Sequence, residues 1–571
     1  MAKPPLEIIN LAERQKEKNQ KPEIQTVLHP SGINVKIPEG FEVKDGRLYI
    51  IVSEGKGENK ITFPVHLIRT FPIITRSLTN IERSEYYYEI CWQNEGRMYK
   101  EVVPALTIST AVELKKISNM SLAVNDNNAK NLINFFDKFL LINNVPSSEM
   151  VERLGHVDGM LVHPLQNFGI EILPGDIGEK QIFEAFKTSG TSADWINSVF
   201  KLLEPHPKAL LMVISSFTSI ILEDLKLGPF IIDLSGPTSK GKTSVLKAAA
   251  SVWGTEYLVS EWNGTAVSFE RKSAFLNSFP LLLDDSMKAD EKQLQRFIYN
   301  FSGGRSKGRG SISGSQKEFT WNNLMLSTGE TSLLDYAERA GGAAARVLPI
   351  KGIPFQDVDH TFFSSLYSAM ENNYGTIGLE FINKWKLHMN ESLPMYYQYN
   401  EMFQRKSNGN EVVSRIARHY AALYFTAGLL MKFFNASLDI GWVEVLFDQI
   451  IEENKSVDKP MQMLEAILTD LDASRESISG KYEVIRDMKA IYKDGTLYVT
   501  PAYLKEFLGV EMSTIRNEWL RRGISIQCSD RGKVVDYKGI AHHGKTRRVV
   551  AINPDFIKEL GFDFTELHKI T

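Results

Sequence analysis

The chain has 571 residues, which at about 150 residues per domain suggests three or four domains with ample length for a large core. Its 43% hydrophobic and 24% charged content is ordinary for a soluble globular protein. A net charge of -3 excludes a polycation, so a nucleic-acid partner must be met by local basic surfaces. The two cysteines, Cys91 and Cys528, exclude a disulfide framework and show no metal-ligand spacing, which fits a reducing cytoplasm.

The chain opens Met1-Ala2-Lys3-Pro4-Pro5 and runs into the charged stretch Glu13 to Lys18, where a secretory signal would need an apolar run. The most apolar window, Ala209 to Leu222, is shorter than the ~20 residues of a membrane span and reads as a buried helix. A cytoplasmic protein without membrane contact is expected.

Residues 1–30 read as a flexible segment rich in Lys, Glu, Gln and Pro. Residues 31–192 read as an α+β accessory domain. Short β-like runs such as Leu48 to Val52 and Tyr86 to Ile90 precede helical periodicity around Asn128 to Leu141. From 193 to 356 two helices lead into an alternation of apolar strands and helices, the mark of an α/β sheet. The candidate strands are 230–234, 257–260, 280–284, 323–328 and 346–350. Residues 357–473 read as a helical lid region, 474–480 as a linker, and 481–571 as a small separate domain.

Gly236-Pro237-Thr238-Ser239-Lys240-Gly241-Lys242-Thr243 matches GxxxxGK[ST] in full, between an apolar strand and a helix expected over Thr243 to Trp253. Its glycines let backbone N–H groups face phosphate oxygens, and the helix N-terminus favours negative charge. Lys242 is expected to reach the β- and γ-phosphates, and Ser244 closes the binding run. Thr243 would ligate Mg2+. The alternative is a chance glycine-rich turn.

Phe279-Pro280-Leu281-Leu282-Leu283-Asp284-Asp285 is an apolar strand ending in two acids, a Walker B pattern. Asp284 is expected to hold Mg2+ and Asp285 to polarise the attacking water. Asp285 is shorter than the Glu that many such motors carry, and the bland reading is a strand with solvated acids at its end. On the next strand, Asn323 to Glu330, Thr328 is the candidate γ-phosphate sensor, with Ser327 and Glu330 behind it; a plain strand-end turn is the alternative.

In Gly341-Gly342-Ala343-Ala344-Ala345-Arg346-Val347-Leu348 an arginine enters an apolar strand, which is costly without an anionic partner. Arg346 is the candidate arginine finger, with Arg339 second; a structural ion pair is the alternative. Arg415 and Arg418 are candidates for a second sensor, or a solvated helix face.

The segment Phe301 to Lys317 is glycine-rich and basic, with no acidic residue. Glycine permits close backbone approach and the cations offer phosphate contacts. Arg305, Lys307, Arg309 and Lys317 are the candidate DNA-gripping residues; a flexible surface loop or a second nucleotide-phosphate loop is the competing reading. In the last domain, Thr500-Pro501 starts a helix. Ser513 is expected to cap a second helix, Thr514 to Arg522, closed by Gly523. Strands near 533–537 and 546–552 complete a winged-helix pattern. Arg516, Arg521 and Arg522 lie on the would-be recognition helix. Lys545, Arg547 and Arg548, with His542 and His543, surround the wing. Protein docking is the alternative use of such a domain.

The array GPTSKGKTS, LLLDDS, GGRSKGRG, LMLSTGE and AARVLPI resembles the helicase-like ATPases of phages and mobile elements once catalogued as a domain of unknown function. Val151-Glu152-Arg153-Leu154-Gly155-His156 and the terminal winged helix resemble the Cch-type helicases of staphylococcal cassette chromosome elements. The resemblance runs from about residue 40 onward. It implies an AAA+ motor similar to MCM helicases, using ATP and Mg2+ at subunit interfaces of a homo-oligomeric, hexameric ring. It also implies unwinding of single-strand-tailed or forked DNA with a mobile element's replication proteins, running 3′ to 5′ by analogy with MCM. An initiator or loader that assembles on DNA without unwinding it fits the motor and winged helix equally well. The pore-type basic insertion favours the helicase. A scaffold using nucleotide only structurally is opposed by Asp284, Asp285 and Arg346.

Overall fold

The computed structural model describes residues 24–55, 60–308, 310–311, 314–315, 318–337, 346–407, 411–453, 459–480 and 485–568. The chain divides into two compact units, Met1–Arg339 with Pro349–Met389, and Ala340–Leu348 with Asn390–Thr571.

The first unit begins with a two-stranded antiparallel pair, Thr26–Leu28 and Asn34–Lys36, followed by a three-stranded antiparallel sheet, Phe41–Lys44, Arg47–Glu54 and Ile61–Ile68. A five-stranded mixed sheet follows, in the order Glu171–Ile172, Ser147–Val151, Ile73–Asn80, Tyr86–Asn94, Arg97–Pro104. The helix Ala129–Ile142 buries Leu132, Phe135, Phe136 and Phe139 in the shared core. Their spacing of three and four residues puts them on one stripe. Each such side chain is worth about 1.5–3 kcal/mol on burial.

The window Ala209 to Leu222 is indeed a buried helix, Pro207–Ile221, with Pro at its first turn. Its polar residues are all satisfied, so they cost little there. Ser215 and Thr218 donate to Leu211 O (2.6 Å) and Ile214 O (2.9 Å). Ser216 and Ser219 donate outward to Ala249 O (2.8 Å) and Ser278 O (2.7 Å).

A second five-stranded sheet packs around that helix. Its strands, labelled β1 to β5 along the chain, are Phe230–Ser235, Val259–Glu261, Leu281–Asp284, Leu324–Gly329 and Val347–Lys351. Their spatial order is β2-β3-β4-β1-β5. The β1–β4, β3–β4 and β2–β3 pairs are parallel. Strands β1 and β4 are buried at every residue, as parallel strands covered on both faces must be. The second strand starts later than expected: residues 257–258 lie in a 3-10 turn, Glu256–Leu258, because a residue-scale apolar signal cannot separate a tight turn from a strand end.

In the second unit, the helices Glu411–Phe434, Gly441–Glu453 and Lys459–Ala473 precede a five-stranded sheet. Its order is Ile478–Ser479, Ala490–Lys493, Thr496–Val499, Lys545–Ile552, Tyr537–His542. Leu464, Ile467, Leu468 and Leu471 of the Lys459–Ala473 helix enter the same core as Trp519 and Val550. Ser513 caps nothing: the helix runs Met512–Arg522, continuing a 3-10 turn at Gly509–Glu511, and has no side-chain cap. The expected strand near 533–537 also divides. Lys533–Val535 pairs with Cys528–Asp530, while Tyr537–His542 is the partner of Lys545–Ile552. The turn at Asp536 separates two hairpins.

Candidate nucleotide site and basic surfaces

The phosphate-type loop hangs between β1 and the helix Lys242–Ser251. Two of its glycines are required by space. A Cβ on Gly236 would lie 2.7 Å from Gly352 O, and one on Gly241, at φ 84°, would lie 2.7 Å from Phe355 Cδ2. Gly241 stands at the helix N-cap, so the first-turn N–H groups have no intrahelical acceptor. The Lys242 ammonium donates to Gly236 O (2.8 Å) and Pro237 O (2.7 Å), within the loop.

Three elements bring their hydroxyl and acid groups together here. Thr243 Oγ1, on the helix, donates to Asp284 Oδ2 at the end of β3 (2.8 Å). Thr328 Oγ1, on β4, donates to Asp284 Oδ1 and accepts from the Asp285 N–H (3.3 Å). Asp285 sits at φ 62°, a left-handed conformation that Asp tolerates better than most residues. Its carboxylate lies 3.6 Å from Lys288 Nζ, which also pairs with Glu261 (2.9 Å). Strand alternation separates the sensor candidates. Thr328 faces the acids, whereas Ser327 is buried and accepts from Trp262 Nε1 (3.1 Å).

A cleft of about 470 Å³ joins these groups. Thr238, Ser239, Lys240, Gly241, Lys242, Thr243 and Ser244 line one wall. Asp284, Asp285, Lys288, Thr328, Gly329 and Glu330 line a second, and Phe363 and Tyr367 a third. Lys288, Phe363 and Tyr367 were not singled out from sequence. Lys288 follows the double acid by one helical turn; the two aromatics lie over a hundred residues from the loop, with no local signal.

The paired oxygens of Thr243 and Asp284 suit Mg2+, a hard cation that takes one or two protein ligands and completes its shell with phosphate and water. The cleft is lined entirely from the first unit, whereas Arg346 and Arg415 belong to the second. Arg346 lies in the turn just before β5 and is half-buried, not inside the strand; Arg415 and Arg418 are exposed. Arg339 lies outside the described residues.

Beneath the cleft, Asp233 of β1 is buried and accepts from the Leu333 N–H (2.8 Å). Burial pushes its carboxyl up to about 7, against the pull of that N–H and of Ser327 and Ser332.

The described residues of the basic insertion pair antiparallel. Arg305 bridges Thr320, Ser306 N donates to Phe319 O (2.8 Å), and Gly310–Ser311 pairs with Gly314–Ser315. Trp321 closes its base, stacking on Phe301 (6.0 Å) and donating to Phe301 O (2.9 Å). Arg305 and Lys307 are exposed; Glu318 stands 3.9 Å from Arg305. Arg309 and Lys317 lie outside the described residues.

On the C-terminal domain the cations divide into two groups. Arg516 is only 17% exposed and makes two 2.7 Å bonds to Asp536. Arg521 and Arg522 grip Glu518, holding its carboxyl down to about 2. One carboxylate thus offsets half of the charge of this pair. Lys545, Arg547 and Arg548 are exposed along the hairpin strand, with Arg548 4.2 Å over the Tyr537 ring. Arg531, Lys533 and Lys538 of the neighbouring strands and turn are exposed as well and extend this surface. His543 is exposed at the hairpin turn, while His542 is buried against Ser479 Oγ (2.8 Å).

Comparison with solved structures gives a match to one described as "SCCmec type IV Cch - active helicase", with TM-score 0.65 over 92% of this chain and 99% of that one, at 16% identity. The chain shares its fold with this Cch structure. The resemblance carried by the motifs therefore holds at the level of the fold, an α/β architecture of mixed sheets and many helices. A family model described as "Domain of unknown function (DUF927)" matches residues 41–321, from the accessory sheets through the phosphate loop and β3 to Trp321. No curated protein matches. Among the described residues no helix is long and apolar enough to cross a membrane.

Proposed function

We propose that the chain is an ATP-dependent DNA helicase, an AAA+ motor with an N-terminal accessory domain and a C-terminal winged helix. The observation that carries this reading is the meeting of Thr243, Asp284 and Thr328 beside a glycine-cornered loop at the carboxyl ends of parallel strands. That is where open α/β sheets bind ligands. The fold likeness to a structure titled an active helicase supports it.

In this reading the loop N–H groups and Lys242 bind the β- and γ-phosphates of ATP. Thr243 and Asp284 hold Mg2+, which when bound neutralises charge between those phosphates. Thr328 fixes the Asp284 carboxylate through its hydroxyl. Asp285 orients the attacking water, and Lys288 restrains Asp285. Glu330 lines the γ-phosphate end of the cleft. Arg346 serves a neighbouring subunit's ATP in a ring, a hexamer on the pattern of the family it resembles, and Arg415 acts as second sensor. Arg305, Lys307, Arg309 and Lys317 grip the strand from the insertion. Lys545, Arg547 and Arg548 form the main cationic surface of the winged helix, with Arg516, Arg521 and Arg522 contributing what their acidic partners release. Replication of a mobile element in the cytoplasm is the setting this implies.

The test is strand displacement on a forked duplex with ATP and Mg2+, beside Lys242→Ala. Unwinding that is lost in the variant is expected, and moving the single-stranded tail gives the polarity. ATP hydrolysis and DNA binding with no strand released at any protein concentration would replace this reading by the initiator or loader.

A further inference from the structure

The helix His360–Asn372 is set by its Asp359 N-cap, whose carboxylate accepts from the Thr361 (3.0 Å) and Phe362 (3.1 Å) N–H groups. Leu366 and Met370 bury one face of it. Phe363 and Tyr367, one turn apart on another face, both line the cleft. Tyr367 Oη is hydrogen-bonded to Ser244 Oγ at 2.7 Å, which pins the ring over the first turn of the helix that follows the loop. Lys247 Nζ lies 5.3 Å from the ring centroid and is itself paired with Glu256 (2.6 Å). Phe363 packs on the loop at Gly241.

The cleft is thus polar and charged at the Asp284 end and aromatic at the Ser244 end. A triphosphate satisfies only the first. The aromatic wall offers a desolvating face to a planar ring, and every nucleobase presents such a face. We propose that Phe363 and Tyr367 form the nucleoside wall of this site, with the base packed against Tyr367 and the ribose against Phe363. The proposal rests on the reading of the cleft as a nucleotide site and names the group that holds the part of the ligand beyond the phosphates. Stacking is tolerant of base identity, so the wall accepts purine nucleoside triphosphates with little discrimination.

The experiment measures binding of a fluorescent ATP analogue to the full chain, with ATP and inorganic tripolyphosphate as competitors, for the natural protein, Tyr367→Ala and Tyr367→Phe. Tyr367→Ala is expected to weaken ATP by about tenfold, the loss of one base–aromatic stack. Tripolyphosphate affinity stays unchanged, which also shows that the loop is intact. Tyr367→Phe keeps the ring and most of the ATP affinity. Unchanged ATP affinity in Tyr367→Ala would overturn the wall. Equal weakening of ATP and tripolyphosphate would overturn it too, because Tyr367 would then act only by shaping the loop through Ser244. If the natural protein bound neither competitor, the nucleotide-site reading itself would fall.

Discussion

Asp284 and Asp233 are two carboxylates one strand apart in the same sheet, and their surroundings set them to different tasks. Asp284 is partly open to the cleft and takes hydroxyl donors on both oxygens, so its carboxylate is held in place where the cleft opens. Asp233 is enclosed, with its folded carboxyl near 7 against an ordinary value of 3.8. Between those values the folded state keeps a proton that the unfolded state releases. Its contribution to stability is therefore full below 3.8 and is lost as pH rises through about 7. Asp233→Asn keeps an acceptor for the Leu333 N–H and does not titrate. Thermal melting should show a shallower fall in stability across the upper part of that window for the variant than for the natural protein. A parallel fall in both would show that Asp233 does not carry the pH dependence. The acids at the end of β3 were legible in the sequence, because an apolar run ending in two aspartates after a phosphate-type loop has few other readings. Burial of Asp233 was not, since it depends on β4 and the Leu333 segment covering it.

At the scale of elements, the strand–loop–helix unit follows from local chemistry: an apolar strand, glycines where the chain must curl, then good helix formers. Gly241 combines a left-handed φ with contact against Phe355 and Phe363. Gly241→Ala should therefore cost about 1–2 kcal/mol from the backbone conformation alone. The Phe355 contact adds to that, and ATP turnover should fall at least tenfold (~1.4 kcal/mol of barrier). Melting and steady-state ATPase measurements check both, and a variant with natural turnover would show that the loop does not need this corner. The basic insertion was legible as glycine-rich and cationic, but its ladder and Trp321 base arise from pairing across the segment. The arginines of the Met512–Arg522 helix illustrate a signal that was present and unused: Glu518 stands three and four residues before Arg521 and Arg522, the spacing of helical ion pairs. The Arg516–Asp536 pair spans twenty residues and a change of element, and no local pattern announces it.

At the scale of the first unit, the segment Arg153 to His156 joins the N-terminal sheets to the core built on the parallel strands β1 to β4. Leu154 N donates to Phe275 O (2.8 Å), His156 N to Ser278 Oγ (2.9 Å), and Asn277 Nδ2 to His156 O (2.7 Å). A Cβ on Gly155 would lie 2.5 Å from Ser278 Oγ, so the backbone passes where no side chain fits. Arg153 pairs with Glu82 of the accessory part and donates to Thr320 O (3.2 Å) at the foot of the basic insertion. One guanidinium thereby touches the N-terminal sheets and the root of the basic insertion. Arg153→Ala leaves Glu82 half-buried without this partner, a cost of about 1–3 kcal/mol. It should lower the melting temperature and reduce DNA stimulation of ATP turnover while basal turnover persists. Unchanged DNA stimulation would show that the joint is only structural.

The sequence by itself determined the strand–glycine loop–helix unit, the acid-ended strand, the α/β alternation and the basic insertion. Each is specified within a few residues by backbone permissiveness, hydrophobic period or charge. Tertiary structure alone decided that Thr328 and not Ser327 faces Asp284, that Asp233 is sealed, that Arg516 is spent on Asp536, and that Phe363 and Tyr367 face the phosphate loop. Those outcomes depend on which strand lies beside which and which helix covers the cleft. Burial and pairing between distant segments leave no mark on the local pattern.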